Sequence, residues 1–167
     1  FRVFCNQSSR LKLEILPTRD GRSAPTHVLT RLRDYIKEYD VGPGDELWLV
    51  FDVDRWEERM LSQVARDALA IGAQLAVSNP CFELWLLYHH ESPDAELTTS
   101  RQLSMRLQQL LGAYNKSNLD MGRFEPHVEQ AIENAQIDDP MEGEDRWPQT
   151  RGSRVHVLMR SILEQLP

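Results

Sequence analysis

Two aspartates, Asp52 and Asp54, follow a strongly apolar segment of the chain. Residues 47–51 read Leu-Trp-Leu-Val-Phe, a run typical of a strand buried on both faces. If residues 47–54 form one strand, the two carboxylates leave it on the same face, about 6.6 Å apart along the strand. Carboxylates held this close raise each other's pKa unless a cation lies between them. The pair therefore predicts a metal site built on oxygen ligands, with Mg²⁺ (or Mn²⁺) as the expected ion.

Ser78 and Asn79 follow a second short apolar segment, residues 73–77, which also predicts a buried strand. In open parallel sheets, ligands bind outside the carboxyl ends of the strands. If the two strands are neighbours, Ser78 and Asn79 lie at the same edge as the two aspartates and are candidates for substrate binding. The alternative is that one of them caps the helix that follows.

Glu83 and Lys116 are further candidates, each with two open interpretations. Glu83 stands in the first turn of an apolar helix, where a carboxylate interacts favourably with the helix dipole. In such apolar surroundings it also requires a partner, such as a metal ion or a lysine. Lys116 is one of three lysines and lies in a predicted loop, either as a solvated side chain or as a group that meets phosphate charge.

The elements that must position these residues alternate along the first half of the chain. We predict strands at residues 11–15, 47–54 and 73–77, and helices at 1–9, 25–39, 57–71, 82–90, 97–111, 124–137 and 155–166. Strand–helix alternation indicates an α/β fold with a mostly parallel sheet covered by helices on both faces. No strand is predicted after Val77. We therefore divide the chain into an α/β core, residues 1–91, and a helical C-terminal extension, residues 92–167.

Composition limits the classes of partner. The net charge of −7 argues against bulk attraction to nucleic acid, but suits metal binding and docking onto a basic protein. Cys5 and Cys81 have neither metal nor redox spacing, so a cytoplasmic location is expected. No apolar run approaches the roughly 20 residues of a membrane span, so no membrane association is expected. The chain opens on Phe1 rather than Met, and we expect its natural N-terminus to lie upstream.

Two segments resemble a known family. LWLVFDVDRW, followed about twenty residues later by LAVSNPCFELWLLYHH, is similar to the RloB-like family, which is found beside restriction genes and antiviral loci in bacteria and archaea. Its members resemble Toprim-type metal-dependent nucleases and are commonly paired with an ATPase. The resemblance implies a Toprim-like fold and a Mg²⁺-dependent nuclease of antiviral defence. Its substrate would be DNA or RNA, transfer RNA included, and its partner an ATPase of the AAA or ABC type.

The resemblance also implies roles for the candidate residues. Asp52 and Asp54 match the metal-binding Asp-x-Asp of the Toprim pattern. That pattern has a further glutamate after its first strand, in a segment that this sequence lacks and that we expect upstream of Phe1. Glu83 would then hold a metal-bound water, and Lys116 would contact the substrate phosphate.

A second hypothesis gives the chain the same fold but no catalytic activity. The chain would be a docking or regulatory subunit of a defence complex, and the acidic loop at residues 138–145 would bind the partner ATPase. The sequence fixes neither the nucleic-acid target nor the trigger of activity. It also leaves the oligomeric state open, a homodimer included.

Overall fold

The computed structural model describes residues 11–17, 23–112, 114–116, 118–141 and 145–166. The helix predicted for residues 1–9 lies outside these ranges. The helices are α1 (Pro25–Glu38), α2 (Glu58–Leu69), α3 (Glu83–Tyr88), α4 (Ser100–Leu111), α5 (Val128–Asp138) and α6 (Val155–Glu164). The strands are β1 (Leu47–Asp52), β2 (Ala73–Asn79) and β3 (Gly152–Ser153), and two 3₁₀ turns cover Met121–Arg123 and Glu125–His127.

The three strands form one open sheet in the order β1-β2-β3. Strands β1 and β2 are parallel, from Leu47 opposite Ala73 to Asp52 opposite Ser78, so the two predicted strands are neighbours and end at the same edge. Strand β3 is antiparallel to the end of β2. The sheet is therefore mixed, and the prediction of a mostly parallel sheet is not confirmed.

Two predictions about strands were wrong. A strand does follow Val77, because Gly152 and Ser153 pair with the end of β2. Two residues of these types carry no apolar periodicity, so sequence pattern alone could not find them. Residues 11–17 form no strand, although Leu11 and Leu13 are half-buried while Lys12 is exposed. Alternating burial needs only one covered face, whereas a strand also needs a hydrogen-bonded neighbour.

The sheet separates two apolar clusters. Leu49 and Phe51 face the cluster formed with α1 and α2, whereas Trp48 and Val50 face the cluster formed with α3, α4, α5 and α6. Because side chains alternate along a strand, Asp52 leaves β1 on the side of α3.

The second cluster runs without a break from α3 into the C-terminal helices, and the division of the chain between residues 91 and 92 stays a prediction. Within the described ranges, no helix has the length and apolar character needed to cross a membrane.

Candidate active site

Asp52 and Asp54 are held at the carboxyl edge of the parallel pair. Strand β1 ends at Asp52, two residues earlier than predicted, and Asp54 lies in the turn that follows. Two backbone hydrogen bonds still tie this turn to the end of β2. Val53 N–H donates to Ser78 O over 3.1 Å, and Asp54 N–H donates to Pro80 O over 3.2 Å. The pair is therefore fixed by the backbone, although not by one continuous strand.

The carboxylate of Asp54 has two neighbours. Ser100, the first residue of α4, donates its hydroxyl to Asp54 Oδ2 over 2.8 Å. Arg55 Nε lies 3.5 Å from Asp54 Oδ1, but the Arg55 side chain is 73% exposed. An exposed ion pair of this kind contributes little. Asp54 is thus oriented mainly by a helix that comes from the C-terminal half of the chain.

Asp52 is a carboxyl group whose charge is incompletely compensated. Burial, together with the nearby charges of Glu83 and Asp54, raises its pKa from the ordinary 3.8 to about 6. The ammonium of Lys116 and the backbone N–H of Phe82 act in the opposite direction without cancelling the rise. Asp52 would therefore gain from a further cation close to it.

Glu83 is nearly fully buried, with 4% of its surface exposed. Its Oε1 accepts a 3.1 Å hydrogen bond from the Tyr114 hydroxyl and lies 2.9 Å from Lys116 Nζ. Burial raises the pKa of Glu83, but the bond to Lys116 and the Cys81 thiol nearby outweigh it, so the net shift is downward. Among the described residues, Glu83 Oε2 has no partner within hydrogen-bond geometry and is buried.

Lys116 is the cation of this group. Its side chain is 62% exposed, yet its ammonium contacts Glu83. Burial lowers the pKa of Lys116, whereas the bond to Glu83 and the charge of Asp52 raise it, with a net upward shift. We call Asp52, Asp54, Glu83 and Lys116 the rim cluster. Three carboxylates there lie near two exposed cations, Lys116 and Arg55.

Cys81 lies beside the rim cluster as a buried free thiol. Burial, together with the neighbouring Glu83 and Asp52, raises its pKa to about 12, although the Ser100 hydroxyl acts in the opposite direction. The thiol therefore stays protonated, which makes it a weak nucleophile and metal ligand.

Ser78 and Asn79 are both engaged inside the chain. The Ser78 hydroxyl shares a buried 2.8 Å hydrogen bond with the Ser153 hydroxyl, and Asn79 Nδ2 donates to Pro148 O over 2.9 Å. Neither residue caps α3, which has Phe82 at its N-cap and no side-chain cap bond. Their side chains attach the segment around β3 to the sheet, and their predicted role in substrate binding stays a prediction.

Sequence reasoning missed two side chains that shape the rim cluster. Tyr114 stands two residues before Lys116, and this short spacing is the signal that could have indicated it. Ser100 gave no signal, because its contact with Asp54 spans 46 positions of sequence.

The rim cluster partly fits a magnesium ion. Within the described residues, no group of three or more His, Cys, Asp or Glu side chains is arranged to hold a metal. Mg²⁺, however, often takes only one or two carboxylates and completes its octahedron with water and substrate phosphate. Asp52 and Asp54 offer hard oxygen ligands, and a cation bound between them would offset the burial and the neighbouring carboxylates that raise the pKa of Asp52. The pair fits this mode of binding.

The fold and the rim cluster define an α/β protein with an acidic site at the edge of a small sheet. A family model described as RloB-like protein matches residues 1–162. The chain belongs to the RloB-like family. No curated protein and no solved structure gave a match.

Proposed function

We propose that this chain is a Toprim-like, Mg²⁺-dependent nuclease of antiviral defence that hydrolyses phosphodiesters of DNA or RNA and works with a partner ATPase. The observation that carries the proposal is the excess of carboxylates in the rim cluster, centred on Asp52 with its raised pKa. Membership of the RloB-like family supports the proposal, and the defence role and the ATPase partner are what the resemblance to that family implies.

The surroundings of each residue in the rim cluster indicate a different role for it. Asp52 and Asp54 would hold the ion, with further ligands from water and phosphate. A bound magnesium ion would polarise the phosphodiester and stabilise the charge that develops on the leaving oxygen.

Glu83 and Lys116 would act on the reactants. Glu83 stays ionised because Lys116 and Tyr114 contact its Oε1. The Lys116 side chain is mostly exposed, so a substrate phosphate can reach its ammonium while the contact with Glu83 is kept. In that arrangement Glu83 is left as an acceptor that orients the attacking water.

The competing proposal of a docking subunit receives less support. It relied on the acidic loop at residues 138–145. Asp138 Oδ1 lies 2.7 Å from Arg151 Nη2, and Asp139 Oδ2 lies 2.9 Å from Arg154 Nε, so two of its acids are paired inside the chain.

Replacing Asp52 with Asn tests the proposal. In the complete protein, with its ATPase partner present, we expect Mg²⁺-dependent cleavage of labelled single-stranded or duplex DNA or RNA to fall by at least about 100-fold. Asp40→Asn, at an exposed position away from the rim cluster, is the matched control and should cleave normally. If Asp52→Asn still cleaves the substrate at the normal rate, Asp52 takes no part in the reaction. A complete protein that neither cleaves nor binds magnesium would favour the docking subunit.

A further inference from the structure

A cavity of about 210 Å³ opens beside the rim cluster, between the end of α4 and the first 3₁₀ turn. The described part of its wall has two aromatic rings, two leucines, one guanidinium and three short polar side chains, contributed by Tyr114, Phe124, Leu111, Leu119, Arg123, Asn115, Asn118 and Asp120. Its volume is several times the roughly 30 Å³ that one water occupies in the liquid.

Tyr114 connects this cavity to the rim cluster. The tyrosine lines the cavity and donates its hydroxyl to Glu83 Oε1 over 3.1 Å. Lys116, two residues later, contacts the same oxygen. A phosphate near Lys116 and a group in the cavity would therefore be separated by little more than one side chain.

The wall of the cavity is held in place by the fold. Phe124 is buried and packs edge-on against the rings of His89 and His90. Arg123 Nη1 donates to Leu111 O over 2.9 Å, and Asp120 Oδ1 accepts from Gly122 N–H over 3.2 Å. These contacts order two of the polar groups before any ligand arrives, which lowers the entropy cost of binding.

The chemistry of the wall matches an unstacked nucleobase. Proteins that read single-stranded nucleic acid stack bases on aromatic or guanidinium planes and hydrogen-bond to the base edges. Here Tyr114 and Arg123 offer planes, while the amide of Asn118 and the carboxylate of Asp120 offer donors and an acceptor. We propose that this cavity binds one extruded base of the substrate strand, next to the phosphate that is cut. The proposal rests on the nuclease function and adds to it a base-binding subsite.

The test uses the complete protein carrying Asp52→Asn, so that the strand stays uncut. Fluorescent single strands are titrated with Mg²⁺ present, with one abasic nucleotide moved through every position. We expect one position at which loss of the base weakens binding by about 5- to 150-fold, the range that single stacked bases contribute.

Asn118→Trp, which fills the cavity, should remove that dependence on the base. Gln109→Trp, on the exposed surface of α4, is the matched control and should keep it. The base subsite is overturned if no position responds, or if Asn118→Trp responds as the control does. Cleavage by the unmodified protein is measured in parallel, so that loss of the subsite and loss of the nuclease function give different results.

Discussion

Two clusters of charged residues, on different parts of the same fold, are built on opposite principles. In the arginine cluster, Arg151 pairs with Asp138 and Arg154 pairs with Asp139, one cation for each carboxylate. The Tyr88 hydroxyl adds a 2.5 Å hydrogen bond to Asp138. The rim cluster instead gathers Asp52, Asp54 and Glu83 around Lys116, with Arg55 exposed at its margin.

The difference indicates that the charged residues of the arginine cluster stabilise the fold, whereas those of the rim cluster are available to bind a ligand. The arginines also bind backbone carbonyls, with Arg151 donating to Pro93 O and Arg154 to Asp145 O, so both fasten loops to the sheet. Within the described residues Asp52 forms no such ion pair, and its pKa is raised to about 6. Removing the charge of Arg154 should therefore lower the stability of the folded protein, whereas removing the charge of Asp52 should raise it.

The largest effect on stability is expected at Arg154. Its side chain is 8% exposed and that of Asp139 is 13% exposed, so Arg154→Leu leaves a buried carboxylate without its partner. We expect the free energy of unfolding to fall by about 3–5 kcal/mol, measured from the urea midpoint. The double variant Arg154→Leu, Asp139→Leu should recover much of the loss, because no uncompensated charge remains. Full stability of Arg154→Leu alone would show that the pair is not structural.

The second effect has the opposite sign and depends on pH. Because the pKa of Asp52 rises from 3.8 to about 6 on folding, the folded state keeps a proton that the unfolded state releases. Without divalent metal, stability should therefore decline as the pH rises from about 4 to 6 and level off above that, by on the order of 3 kcal/mol. Asp52→Asn should remove this decline and be more stable than the unchanged protein at pH 8.

Urea unfolding at pH 4 to 8 measures this effect, with Asp40→Asn as the control for loss of one exposed carboxylate. Addition of Mg²⁺ at pH 8 should stabilise the unchanged protein and leave Asp52→Asn unaffected. If Asp52→Asn is less stable than the unchanged protein at pH 8, Asp52 has a structural partner and the contrast between the two clusters fails.

The sequence predicted the rim cluster better than the arginine cluster, for a physical reason. Asp52 and Glu83 interrupt apolar segments, and a charge in apolar surroundings is visible in one sequence without its partner. Arg151 and Arg154 stand in a polar segment, where their burial leaves no pattern.

The parallel pair followed from the apolar segments at residues 47–51 and 73–77, whereas β3 has only two residues and pairs with the end of β2. Contacts between distant positions, such as Ser100 with Asp54, depend on the packing of helices and could not be predicted from periodicity.

The smallest effect is expected at Ser100, which joins the helical half of the chain to the rim cluster. Ser100→Ala removes the 2.8 Å hydrogen bond to Asp54 Oδ2, and because that bond is exposed we expect a loss of only about 1 kcal/mol in stability. Asp54 would keep its backbone bond to Pro80 but lose its orientation, so Mg²⁺ should bind severalfold more weakly by calorimetry. Ser104→Ala, one turn further along α4, controls for the loss of a helical serine. Equal magnesium affinities in the two variants would show that the hydrogen bond from α4 to Asp54 does not affect magnesium binding.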